Sequence, residues 1–327
     1  MDNRTFGRLG WSVSEVGYGM WGVGAGPGGW QGADDQESLE ALQLAVDLGC
    51  NFFDTAWIYG RGHSEQLLGR LLKDNSGQRL YAATKVPPKD RAWPSTRASL
   101  LSDVFPYDYV AEYLDKSLAN LGVDRVDLLQ YHVWEDSWVD NDEWLESIAR
   151  IRSAGLAEGI GISINRWEPW NGVRAVESGL IDSVQVIYNI FDQAPEDTLF
   201  PACRAHDVAV IARVPFDEGT LTGAITRETT FSPDDWRASY FVPENLESSV
   251  TKVEALKADL PPDANLADIA LRFILANPDV ATVIPGMRRS EHVRRNIASS
   301  DGQPLSDELM TTLRAHRWDR EPTEWSQ

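Results

Sequence analysis

At 327 residues the chain is long enough for a sizeable core and for either two average domains or one α/β barrel. Its 50 acidic against 30 basic residues leave a net charge of −20, which argues against nucleic acid and anionic membrane surfaces as partners. The two cysteines, Cys50 and Cys203, lack metal-ligand spacing, and no apolar run has the length of a membrane span or the layout of a signal sequence, so a cytoplasmic globular protein without metal is expected.

In chain order, Thr5 to Val16 reads as a hairpin able to plug one end of a barrel. Short β-type runs then alternate with amphipathic, helix-length segments, the pattern of repeated βα units around a parallel sheet. Eight strands are predicted, at 15–19, 51–54, 80–86, 126–131, 157–162, 182–187, 208–213 and 281–285. Apolar residues at three- and four-residue spacing predict helices over 36–49, 108–122, 142–155 and 265–277, several of them stopped by Gly or Asn. The glycine-rich run Gly22 to Gly29 does not open a helix directly and reads as an active-site loop, not a dinucleotide fingerprint. From Pro215 to about Asn245 the chain is rich in Gly, Thr, Pro and aromatics and long for a βα connection, which marks a functional loop. Helical segments at 289–299 and 306–318 follow the last strand, and no linker divides the chain. One (β/α)8 barrel domain over 1–327, with an N-terminal hairpin and an extra C-terminal helix, is the predicted architecture.

Loops at the carboxyl ends of barrel strands converge on one mouth. Asp54, Lys85 and His132 end or follow the second, third and fourth strands, and Tyr59 lies in the loop after Asp54, so all four are expected to meet there. A phenol titrating near ~10 transfers protons poorly at neutral pH until a nearby cation stabilises its phenolate. Lys85 would supply that cation, Asp54 would hold Lys85, and His132 would orient a carbonyl oxygen. A strand-ending His or Lys taken singly is more often structural, and it is the joint order and spacing that carry the assignment. His63 and Glu65 open the next helix and read as capping and packing groups.

The spaced motifs FFDTAWIYGRGHSE at 52–65, ATKV at 83–86, QYH at 130–132 and IPGMRRSEHVRRN at 284–296 resemble those of the aldo-keto reductases, and the resemblance covers nearly the whole chain. It implies an extended nicotinamide dinucleotide bound without a separate domain, and Asp54, Tyr59, Lys85 and His132 as a catalytic tetrad, with Tyr59 the general acid in reduction and general base in oxidation. It further implies carboxamide contacts from Ser163, Asn165 and Gln185, and nicotinamide stacking at Arg213, where many members carry an aromatic ring. The segment 215–223 resembles the family's pyrophosphate loop, with Phe216 and the backbone N–H groups of Gly219 and Leu221 as contacts.

After the last strand, four arginines fall within eight residues of an acidic chain, next to a helix N-terminus suited to phosphate. By the same resemblance Gly286, Arg288, His292 and Asn296 hold the adenosine end and favour NADPH over NADH. This chain departs from the family pattern at Ile164, His292 and Arg295. Trp21, Trp57 and Trp134 fall where the family lines its substrate pocket, with Trp236, Tyr240 and Phe241 of the long loop as further candidates to close over it. Reduction of an aldehyde or ketone is the leading reading. An NAD(P)-dependent sugar or polyol dehydrogenase and a cofactor-sensing regulatory subunit are the alternatives. The expected partner is a small carbonyl compound, and no oligomeric state is legible.

Overall fold

The computed structural model describes residues 1–24 and 32–324. Most of the glycine-rich loop expected over 22–29 falls outside them. Strands β1 (Asn3–Phe6) and β2 (Trp11–Ser14) form the antiparallel hairpin. Eight parallel strands follow in sequential order: β3 (Tyr18–Gly19), β4 (Phe52–Asp54), β5 (Tyr81–Val86), β6 (Val126–Tyr131), β7 (Ala157–Ser163), β8 (Ser183–Ile187), β9 (Ala209–Arg213) and β10 (Val280–Val283). Parallel bridges Val16–Val283 and Gly19–Gly286 join the last strand to the first and close the barrel. The predicted first strand, 15–19, shortens to Tyr18–Gly19, and the predicted last strand, 281–285, ends at Val283. Pro285 has no N–H to donate, so at the seam only its carbonyl is used, accepting from Gly19 N at 3.0 Å.

Side chains alternate across each strand, so residues two apart face the same way. Phe52, Tyr81, Ala83, Leu128, Ala209, Ile211 and Ala281 pack together inside the barrel with Phe6, Trp11 and Val13 of the hairpin. Trp11 stacks on Tyr81 at 4.9 Å and Phe6 on Phe52 at 5.4 Å between ring centroids, and the plug seals the lower mouth. Two positions further along the same strands stand Asp54, Lys85, Gln130 and Arg213, so the lumen turns from apolar to polar toward the carboxyl ends. The larger apolar core lies between the outer strand faces and the helices.

The segment predicted as a long loop holds a tight turn over Asp217–Thr222 and a short helix over Arg237–Tyr240, and the helix Pro243–Ala258 begins just before its expected end. It carries an apolar cluster of its own in which Tyr240, Phe241 and Trp167 pack with Phe231, Trp236 and Leu246. After the helix Asp307–Ala315 the tail runs back over the barrel mouth, where Trp318 N donates to the Phe191 carbonyl at 2.8 Å.

The closing seam has no spare room. A Cβ on Gly19 would sit 2.6 Å from the Ile284 carbonyl oxygen, which is backbone and cannot swing aside. Gly19→Ala is expected to lower stability by about 1–3 kcal/mol through overpacking, read as a lower denaturation midpoint in urea with an unchanged slope.

Candidate active site

Asp54 closes β4, Lys85 is the penultimate residue of β5, His132 directly follows β6, and Tyr59 lies in the turn ahead of the helix His63–Asp74. Lys85 Nζ donates to Asp54 Oδ2 at 2.6 Å and to the Thr55 carbonyl at 2.9 Å. The other carboxylate oxygen accepts from Gln185 Nε2 at 2.8 Å and Gln130 Nε2 at 3.1 Å. Asp54, Lys85, Gln130 and Gln185 are all buried, so strands β4, β5, β6 and β8 each contribute a polar group to one sealed layer.

Tyr59 and His132 stand above that layer and are partly exposed. Their rings meet edge to face with centroids 5.8 Å apart, and the Lys85 ammonium lies 5.2 Å from the Tyr59 ring centroid. Burial among protein groups pushes the Tyr59 phenol above its usual 10.0, while Lys85 and Arg213 pull it back and Asp54 adds to the rise. Burial, then the positive charges of Lys85 and Arg213, keep the His132 imidazole well below its ordinary 6.5. At neutral pH the pair is therefore a neutral phenol and a neutral imidazole, both able to donate a hydrogen bond to a carbonyl oxygen.

Other predicted residues have different placements. Trp134 is fully buried, packed against Trp138 and Trp144, with its indole N–H given to Asp136 at 2.8 Å, so it belongs to the core and not to the pocket. Trp57 packs edge-on against Tyr113 at 4.6 Å, beneath Lys116 and Arg91, on the flank of the barrel. The Asn165 amide donates to the carbonyls of Ser95 and Trp134 and to Glu168, which makes it a tie between loops with no donor left for a carboxamide. The N–H groups of Gly219 and Leu221 both bond the Phe216 carbonyl, so the turn consumes the donors expected to face a pyrophosphate. His63 pairs with Asp35, and buried Glu65 accepts from Thr84 and Asn120, as packing groups do.

Sequence reading missed two neighbours of the tetrad. Gln130 was legible from strand alternation, two positions before His132. Trp93 was not, because it lies in an aperiodic loop, yet its ring meets His132 edge-on at 4.6 Å. Trp21 meets Trp236 of the long loop at 5.0 Å, bringing the first and seventh loops together.

Arg213 ends β9, gives one N–H to the Ile164 carbonyl at 3.0 Å, and keeps Nε buried without a protein partner. The same is true of His132 Nδ1 and of Asn296 Oδ1, the latter in the helix Ser290–Ala298. Buried polar atoms are costly when unpaired, so these three fit a long polar ligand running from the mouth of β6 past β9 to the helix after β10. Along that line Ser163 ends β7, Phe216 packs against the core, Gly286 is open on its Cβ side, and Arg288 donates to the Gly32 carbonyl at 2.8 Å. His292 is half-buried and held below its usual 6.5 by burial and by Arg295.

The profile of the Aldo/keto reductase family matches residues 15–317. The chain belongs to the aldo/keto reductase family. It is 28% identical over 325 residues to the NADH-specific methylglyoxal reductase of Escherichia coli K12, covering 93% of this chain and 94% of that one. An aldo-keto reductase from Bacillus halodurans, solved in its holo form, superposes with a TM-score of 0.76 at 25% identity over 100% of both chains. A glycerol dehydrogenase from Gluconobacter oxydans gives a TM-score of 0.76 at 26% identity over 96% of this chain and 94% of that one. As an aldo/keto reductase the protein is a nicotinamide-dependent oxidoreductase, and the line of unpartnered atoms suits such a dinucleotide.

The depressed imidazole has a stability consequence. Below pH 6.5 the unfolded chain takes up a proton at His132 that the folded chain does not, so this group's contribution to stability is lost as pH falls. His132→Gln is expected to flatten the decline of the melting temperature on the acid side, checked by thermal melts of both proteins across that range.

Proposed function

We propose that the protein reduces an aldehyde or ketone to the alcohol, with Tyr59 as proton donor and NADPH as preferred cofactor. The observation that carries this reading is the phenol held neutral above the sealed Asp54–Lys85 pair. When bound, the nicotinamide supplies the hydride. Tyr59 gives its proton to the carbonyl oxygen, and the nearby Lys85 cation stabilises the phenolate left behind. His132, neutral and beside Trp93, orients the same oxygen by donating a hydrogen bond. Run in reverse, the phenolate takes a proton from an alcohol. Because the phenol is raised, that direction gains as pH rises while reduction holds at neutral pH.

Arg213, Ser163 and Phe216 are the residues we assign to the nicotinamide side, and Gly286, Arg288, His292 and Asn296 to the adenosine side. Trp21, with Trp93 and Trp236, forms aromatic walls suited to a small organic carbonyl compound. Two free, buried cysteines agree with a cytoplasmic setting.

Two measurements test the reading. Tyr59→Phe should lower turnover of a carbonyl panel by about 10²–10⁴ while NADPH affinity stays unchanged, and wild-type protein that consumes no NADPH with any carbonyl would overturn it. Arg288→Ala should shrink the NADPH over NADH preference in kcat/KM by roughly tenfold, the worth of one charge-assisted hydrogen bond to the 2′-phosphate. An unchanged ratio removes Arg288 from that role.

A further inference from the structure

We propose that Arg320, in the C-terminal tail, is a positioning residue that latches the cofactor-site segment 213–222 and, through it, the short helix over the pocket. The proposal rests on the reading that this segment contacts the cofactor.

The segment is held against its own backbone preference. Val214, Asp217 and Glu218 take φ of 55°, 46° and 56°, the left-handed region that is an outlier for a β-branched residue and unfavourable for the two acids. Such a conformation persists only where neighbours over-determine it. Asn189 Nδ2 donates to the Val214 carbonyl at 3.1 Å, and Arg166 donates to Glu218 at 2.6 Å. Arg320 does the rest. Its Nη2 donates to Asp217 Oδ1 at 2.8 Å and also to Asp192 Oδ2, while Nε donates to Asp192 Oδ1 at 3.1 Å.

The Arg320 side chain is only 4% exposed, with Asp192 and Asp217 at 7% and 2%. Its guanidinium carbon lies 4.5 Å from the ring centroids of both Trp167 and Trp318. Two buried carboxylates repel each other unless a cation stands between them, so without Arg320 the pair must take up a proton or separate, and in either case Asp217, the member on the strained segment, loses its ionic anchor.

The consequence reaches two places. Arg213 and Phe216 sit on the segment itself. Arg166, which holds Glu218, has its guanidinium carbon 4.8 Å from the Tyr240 ring centroid, and Tyr240 packs with Trp167 and Phe241 under the Arg237–Tyr240 helix, next to Trp236. A single tail residue thus ties together the cofactor side and the aromatic wall. Arg317, three residues earlier, pairs with Asp197 and Asp319 at the surface, where ion pairs contribute little, and serves as the control.

The test compares full-length wild type with Arg320→Met, Arg320→Lys and Arg317→Met. Hydrogen exchange without cofactor reads the latch, and NADPH titration with steady-state kinetics reads its effect. Arg320→Met is expected to raise exchange at 213–222 and 236–241 with strands β4–β8 unchanged. If about one molecule in ten remains competent, NADPH affinity falls about tenfold, and KM for NADPH rises more than kcat falls. Arg320→Lys should recover part of both effects, and Arg317→Met should match wild type. Unchanged exchange at 213–222 in Arg320→Met overturns the proposal, as does unchanged NADPH affinity. Should that variant not fold, wild-type behaviour in Arg320→Lys, which loses the two-carboxylate fork, overturns it equally. If wild type itself binds no NADPH, the functional reading fails, and the exchange result still decides whether Arg320 holds the segment.

Discussion

A buried ion pair, Asp54 with Lys85, sets the terms for the rest of the structure. Taking two such charges out of water costs several kcal/mol per ion unless attraction and further hydrogen bonds compensate. Here the compensation is distributed around the barrel: Lys85 has two acceptors, and Asp54 receives three donors. Those donors come from strands that are distant in sequence, since Gln185 lies 131 residues beyond Asp54. The pair is satisfied only when the barrel is closed in register. A slip of one residue in β8 would turn Gln185 outward and leave a carboxylate oxygen short of a donor.

The layer beneath the pair determines how strongly it acts. Phe6 and Trp11 of the hairpin, with Tyr81, Leu128 and Ile211, keep the lumen below Asp54 and Lys85 apolar. With water excluded on that side, the Lys85 charge is felt more strongly by groups above it. Both neighbours respond. Tyr59 experiences a downward pull from Lys85 that does not overcome burial, and His132, held neutral first by burial, is pushed further the same way by Lys85 and Arg213. A cationic imidazole beside Lys85 and Arg213 would be a third positive charge in one small volume, so those two cations reinforce the neutrality that burial already imposes on His132.

Strand order, strand positions and the placing of Asp54 and Lys85 in one layer were legible because each depends on period-two alternation and on where apolar runs stop at a polar residue. Asp54 and Lys85 carry that signal, as does Gln130 in hindsight. Beyond a strand end periodicity no longer says which way a side chain turns, and although His132 lies at the mouth as expected, its neighbours in the loops were not legible. Trp134 and Asn165 both lie just past strand ends, and whether such a residue turns into the mouth or back into the core is decided by loop hydrogen bonds, such as Trp134 to Asp136, which leave no periodic trace. Gly219 and Leu221 illustrate the same limit for backbone donors. A turn that closes on the Phe216 carbonyl uses N–H groups that, on sequence alone, are free to bind a ligand. Arg320 was invisible for a further reason, because its two acids lie more than a hundred residues away.

The site therefore separates into a sealed half and an open half. Asp54, Lys85, Gln130 and Gln185 are buried and bonded to one another, whereas Tyr59, His132 and Arg213 are partly exposed, and His132 Nδ1 and Arg213 Nε have no protein partner. Electrostatics fixed in the sealed half do not depend on what occupies the mouth. The aromatic groups around the open half, Trp21, Trp93 and Trp236, come from three loops with no side-chain bond to the Asp54–Lys85 pair. Changes in those loops can reshape the pocket without disturbing the charges that tune Tyr59. Constraint on the reaction and freedom in the substrate thus have separate locations in the fold, one at the strand ends and the other in the loops beyond them.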